Sequence, residues 1–161
     1  MRTVESPQPT FDRHTYRLVV DGLVRHPRSF TYPQLLWLPS ARQTCDFRCI
    51  EGWGVDDVPR EGIHLRTLMK LTRPLANARF ITFHCLGDMY RESLSLDQAE
   101  LPYALLAYCM YGHPLLPERG SPCGRSSPGD RHARRSAHAP DAERLRLSVG
   151  RAESGRGNLS A

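Results

Sequence analysis

Thr15-Tyr16-Arg17-Leu18-Val19-Val20-Asp21-Gly22-Leu23 is the stretch on which the fold turns. Its apolar and β-branched residues read as a strand, and Asp21-Gly22 closes it with the dipeptide that accepts positive φ in a tight hairpin turn. On its C-terminal side, Ser29-Phe30-Thr31-Tyr32 predicts a short strand. Pro33 to Leu38 predicts a short helix that starts near Thr31 or Tyr32, carries Pro33 in its first turn and stops at Pro39.

Further along, Ala41 to Glu51 alternates polar and apolar residues around Cys45, Phe47 and Cys49, which predicts a strand broken by Gly52-Trp53-Gly54. Asp56, Asp57 and Glu61, with Arg60 among them, read as a solvated loop. Ile63, Leu65, Leu68, Met69 and Leu71 approach helical spacing, and Arg73-Pro74 ends that segment. Ala78 to Cys85 has period two, with Phe80, Thr82 and His84 on one face and Ile81, Phe83 and Cys85 on the other, both expected to be largely buried. Tyr90 to Leu96 predicts a strand, Ser95 to Ala99 a turn of helix, and Leu105 to Tyr111 a strand before the Gly112-His113-Pro114 turn. Strands and one- or two-turn helices interleave without a βαβ rhythm. The fold class is α+β, dominated by mixed or antiparallel sheet.

Composition bounds the function. The chain has 161 residues and a net charge of +5. Residues 1–117 carry 13 Lys+Arg and 12 Asp+Glu, whereas residues 118–161 carry 9 and 5. The basicity thus sits in a tail that has no Phe, Trp, Tyr, Ile or Met, a composition that predicts disorder. Without interleaved aromatics the tail does not read as a nucleic-acid binder, so no nucleic-acid partner is expected. No apolar run is long enough to span a membrane, and the N-terminus lacks the pattern of a secretory signal, so the expected location is cytoplasmic. Five cysteines, Cys45, Cys49, Cys85, Cys109 and Cys123, are an odd number that argues against a disulfide framework and for buried thiols or a metal ligand. A zinc pair from Cys45 and Cys49 with His84 and Cys85 is disfavoured, because strand positions i and i+4 lie about 13 Å apart. Cys85 and Cys109 read as small core residues, and His84 as either a satisfied core histidine or a polar group of a pocket.

The order of the blocks carries a resemblance. Tyr16 to Val24, Phe30-Thr31-Tyr32 with Leu38-Pro39, and Asp46-Phe47-Arg48-Cys49-Ile50-Glu51-Gly52-Trp53 resemble the molybdopterin-binding oxidoreductase domain of the sulfite oxidase superfamily. Gly62-Ile63-His64-Leu65, Ala78 to His84, Ser93 to Leu96, Leu105 to Tyr108 and Gly112-His113-Pro114-Leu115 continue it in the same order. The match covers about residues 11–122, which divides the chain into a flexible N-terminus at 1–10, a partial molybdopterin-binding domain at 11–122 and a disordered tail at 123–161. The resemblance implies molybdopterin as cofactor, with Cys49 as the molybdenum ligand and catalytic residue. Glu51, Trp53 and His84 are implied beside it as cofactor-binding residues. A soft thiolate suits a metal already held by a dithiolene. The implied reaction is oxygen-atom transfer on a small oxyanion or sulfoxide, with a haem-containing electron-transfer partner. Arg60 stands where the family has an aromatic residue.

From Cys123 the family pattern stops. The family continues there with a Leu-Arg-x-Val-Val-Pro strand and a basic segment that contacts the pterin phosphate, and this sequence has neither. Codons for Cys123 to Pro128 read one base earlier can spell Leu-Arg-Pro-Val-Val-Pro, which predicts a one-base shift of frame near Pro122. The domain is therefore expected to be incomplete at its C-terminus, with an apolar sheet edge left open. The alternative function is a cofactor-free remnant or interaction domain without catalytic activity.

Overall fold

The computed structural model describes residues 12–48, 54–84, 91–115, 124–126 and 144–150. They form two five-stranded sheets around a shared core. The elements are β1 (Arg17–Gly22), β2 (Arg28–Thr31), α1 (Tyr32–Leu36), β3 (Ser40–Arg48), β4 (Gly54–His64), α2 (Leu65–Thr72), β5 (Phe80–His84), β6 (Arg91–Ser95), α3 (Leu96–Glu100), β7 (Leu105–Met110), β8 (His113–Pro114), β9 (Gly124–Ser126) and β10 (Arg144–Gly150). The first sheet has the order β2-β1-β10-β5-β6. The second has the order β3-β4-β7-β8, with β9 also paired to β7.

Alternation sets the faces. In β1, Leu18 and Val20 are buried while Arg17, Val19 and Asp21 lie on the other face. Tyr16 packs edge-on against Tyr32 of α1, with centroids 6.1 Å apart. Leu65, Leu68, Met69 and Thr72 put the buried stripe of α2 at helical spacing. The second sheet contributes Ile63, Leu106 and Tyr108 to the same core. The two five-residue helices have no length to stabilise themselves, and each begins with a reciprocal cap. Thr31 and Gln34 cap α1, and Ser95 and Gln98 cap α3.

Three expectations are revised. Asp21-Gly22 does not make a two-residue hairpin, because β1 and β2 pair from Arg17↔Thr31 to Val20↔Arg28 and residues 21–22 run on beside β10. Gly22 does have positive φ, at 87°. A Cβ there would lie 2.3 Å from the Val149 carbonyl oxygen, so the glycine admits the neighbouring backbone. Asp56, Asp57 and Glu61 are in β4, not in a loop: Glu61 pairs with Arg42 of β3, and Asp56 and Asp57 fall at the register shift between the pairs Cys45↔Val58 and Phe47↔Val55. Residues 54–57 are nonetheless exposed, because this arm of the β3-β4 ribbon stands in solvent, which is why its sequence resembles a loop. Finally, β5 buries Ile81 and Phe83, but its other face, Phe80, Thr82 and His84, is only half-buried.

The tail holds the main surprise. Residues 144–150, within the stretch whose composition predicts disorder, form β10 in the middle of the first sheet, parallel to β1 and antiparallel to β5. Averaging over 44 residues hides a local alternation that places Leu147 and Val149, at 0% and 2% exposure, in the core. Their burial covers the edges of β1 and β5.

Candidate functional site

In the sequence, β3 and β4 flank the predicted metal-binding segment. Their pairing extends from Ser40↔Ile63 to Arg48↔Gly54, with a bulge between Cys45 and Phe47. At this bulge Asp57, with φ of 53°, donates its backbone N–H to Asp46 Oδ1 at 3.2 Å. Bulges of this kind re-aim a strand end. Cys49, Glu51 and Trp53 belong to the sequence joining the two strands and lie outside the described residues.

His84, the fourth predicted site residue, is at the end of β5. Its ring lies on the face of the first sheet opposite Ile81 and Phe83, half-buried, with Nε2 2.6 Å from Ser148 Oγ. In register it sits between Arg146 of β10 and Arg91 of β6. The row beside it pairs Ser148 with Thr82 and Thr82 with Ser93, whose hydroxyls are 2.9 Å apart. Asp21, the next residue in that row, holds Arg146 Nε through both carboxylate oxygens at 3.0 and 2.9 Å. His84 is thus part of a hydroxyl-rich surface whose partner Ser148 comes from the tail. Sequence reasoning missed Ser148 because nothing local links residues 64 positions apart.

A second polar group lies in the other sheet and was read only as solvated charge. Glu61 accepts from Arg42 Nε at 2.9 Å and from the Tyr108 hydroxyl at 3.1 Å. Burial pushes the Tyr108 phenol up. Burial, followed by the Glu61 charge, pushes the Cys109 thiol up as well. Arg60, in the position where an aromatic is expected, is 7% exposed on β4. Its period-two position beside Gln43 and Met110 explains how a charged residue is carried inward by a strand.

The thiolate implied for molybdenum, that of Cys49, lies outside the described residues, and among the described residues no group of three or more His, Cys, Asp or Glu side chains is placed to hold a metal ion. Of the described cysteines, Cys45 and Cys109 are half-buried within strands. Cys49 falls between Arg48 and Gly54, the last pair of the long hairpin.

A family model described as the oxidoreductase molybdopterin-binding domain matches residues 5–133. The chain is 33% identical over 128 residues to the protein-methionine-sulfoxide reductase catalytic subunit MsrP of Burkholderia mallei, covering 70% of this chain and 38% of that protein. It is 28% identical over 137 residues to the subunit of the same name from Campylobacter jejuni, covering 75% and 46%. The chain therefore spans less than half the length of these curated relatives. In fold it is similar to the sulfane dehydrogenase SoxCD from Paracoccus pantotrophus, with a TM-score of 0.72 and 19% identity over 89% of this chain and 40% of that one. With most of its length matched by the family model and its two sheets similar to those of a sulfite-oxidase-type fold, this chain belongs to the oxidoreductase molybdopterin-binding domain family.

Proposed function

We propose that the chain is the cofactor-binding part of a molybdopterin-dependent oxidoreductase that moves an oxygen atom to or from a small oxyanion or a sulfoxide. The observation that carries this reading is the family match over residues 5–133, with Cys49 in the segment joining the β3-β4 hairpin. The curated relatives are named for methionine sulfoxide reduction, which favours the sulfoxide over the oxyanion. Molybdopterin, when bound, supplies a two-electron centre for oxygen-atom transfer.

The chain's own residues then have these roles. Cys49 would hold the metal through its thiolate, a soft donor suited to it. Glu51 and Trp53, in the same short segment, would line the cofactor's surroundings. His84 is assigned to the pterin, with its ring orientation set by Ser148. Electrons pass to or from a haem-containing partner. Among the described residues no helix is long and apolar enough to cross a membrane.

The test is metal content by mass spectrometry on the purified chain, made in a host that synthesises molybdopterin, beside Cys49→Ala. One molybdenum per chain, lost in the variant, is the expected result. No molybdenum in either protein would replace this reading with a cofactor-free interaction domain. Equal molybdenum in both would remove Cys49 from the metal site.

A further inference from the structure

The channel between β1 and β5 reads the strand that fills it at every position from 146 to 150. Leu147 and Val149 point into the core. On the other face, Arg146 meets Asp21 through two hydrogen bonds, and Ser148 meets His84. The far end is clamped by the Leu23 N–H on the Val149 carbonyl at 2.6 Å and the Arg79 N–H on the Gly150 carbonyl at 3.0 Å. Gly22 leaves room for the Val149 backbone. Ladder bonds on both edges with side-chain readers at alternate positions are the requirements for recognition by strand addition.

We infer that this channel is a strand-acceptor groove that a second copy of the chain can fill with its own residues 144–150, so that two copies exchange β10. Among the described residues β10 is paired with β1 and β5 alone. The preceding strand, β9, belongs to the other sheet, and residues 127–143 lie between them in the sequence. β10 is the last of the described elements in the chain. Every contact named above is the same whichever copy donates the strand, which is why exchange of an identical element is a low-cost route to a dimer. The occupant is a second copy because the groove selects a Leu-Ser-Val alternation preceded by Arg, and each copy carries that sequence. An empty groove would leave two unpaired strand edges, so a copy that has lost its own β10 is a strong acceptor.

Direct partners across the groove make this measurable. Thr82 and Ser148 pair in register. Two full-length variants with different tags, Thr82→Cys and Ser148→Cys, are unfolded together in denaturant, refolded together at high protein concentration and oxidised. A disulfide between positions 82 and 148 that joins the two tags, located by peptide mapping, forms only when one copy's strand sits in the other copy's groove. The expected yield is several-fold above that of the two variants refolded separately and mixed only once folded, rises with protein concentration, and is lost when the donor also carries Leu147→Asp. A yield no higher than those controls means the groove is filled only from within its own chain and overturns the inference. A single chain carrying both substitutions must cross-link internally, and its failure to do so would overturn the register on which the groove is built. A synthetic peptide of residues 144–150 with the Ser148→Cys change is the last arm. Cross-linking of the peptide without cross-linking between chains would mean that the groove takes free strands but not a second copy, which also overturns the exchange.

Discussion

Each sheet contains two hairpins, and the sheets differ in how those hairpins meet. In the second sheet the β3-β4 and β7-β8 hairpins pair directly, β4 against β7, from Arg60↔Met110 to His64↔Leu105. In the first sheet the β1-β2 and β5-β6 hairpins form no ladder with each other, and β10 arrives from far along the chain to join them. The ion pair that fastens it, Asp21 to Arg146, spans 125 positions, whereas Glu61 to Tyr108 in the other sheet spans 47. Closing the longer loop costs only slightly more entropy at equilibrium but delays the contact kinetically. The two sheets therefore share a core but not an order of assembly.

The largest effect that sharpens this contrast comes from truncating one fully buried leucine at each junction. Leu147→Ala in β10 and Leu106→Ala in β7 are each expected to cost about 2–5 kcal/mol, read by denaturant unfolding. Their kinetics should separate: Leu106→Ala slows folding, while Leu147→Ala mainly speeds unfolding, because its contacts form last. Equal partition in the two variants would break the contrast.

Each junction also has a glycine against the neighbouring backbone, Gly22 beside Val149 and Gly62 beside Leu106, where a Cβ would fall 2.3 and 2.2 Å from a carbonyl oxygen. Gly62→Ala should cost about 1–3 kcal/mol through forced overlap. Gly22→Ala should lose about 1–2 kcal/mol more, because its positive φ disfavours any side chain. A reversed order in thermal melts would mean that the β1-β10 seam yields more easily than the β4-β7 seam.

Smaller effects belong to the ion pairs. Both arginines are more than half exposed, so Arg146→Ala should cost about 0.2–1 kcal/mol, Arg42→Ala should shift the unfolding midpoint less, and both effects should vanish at high salt. Glu61→Ala should exceed Arg42→Ala, because it also leaves the Tyr108 hydroxyl without its acceptor.

The smallest expected signal is a pH slope. Burial, then the nearby Arg66 charge, holds His64 below the ordinary value of 6.5, against a backbone hydrogen bond to Ala104 that raises it. The unfolded chain thus binds this proton more readily. His64 contributes stability that is present above 6.5 and lost as pH falls through the lowered folded-state value. His64→Asn, which removes the titrating ring at the N-cap position of α2, should flatten the acid limb of the unfolding midpoint against pH. An unchanged slope would assign the acid sensitivity elsewhere.

What was legible in the sequence was local. The start near Thr31 or Tyr32 with Pro33 in the first turn, the turn of helix at Ser95 to Ala99 and the period of Phe80 to His84 place α1, α3 and β5 from residues close in sequence, whereas the Gln34 and Gln98 halves of the caps appear only in the structure. Gly22 was rightly read as a positive-φ position, but its role lies in a strand 127 residues away that no window includes. Arg60 and Glu61 looked like solvent-facing charge because residue type was weighed over register, and pairing with Gln43 and Arg42 carries them into the sheet. The seven residues of β10 were lost in the arginine-rich average around them. Of the site, the family resemblance was legible from linked blocks, whereas the Ser148 partner of His84 was not, since it depends on how the tail folds back.

The place of β10 also matters on the ribosome. Synthesis at about 5–20 residues per second leaves an interval of about 1.5–6 s between the completion of β8 and the arrival of residue 144. Over that interval the nascent chain holds all four main strands of one sheet and only two separate hairpins of the other, and isolated hairpins are marginal in water. Translation that stalls before codon 144 would release a chain with one sheet paired and the other open along two edges, the state most exposed to chaperones and to aggregation.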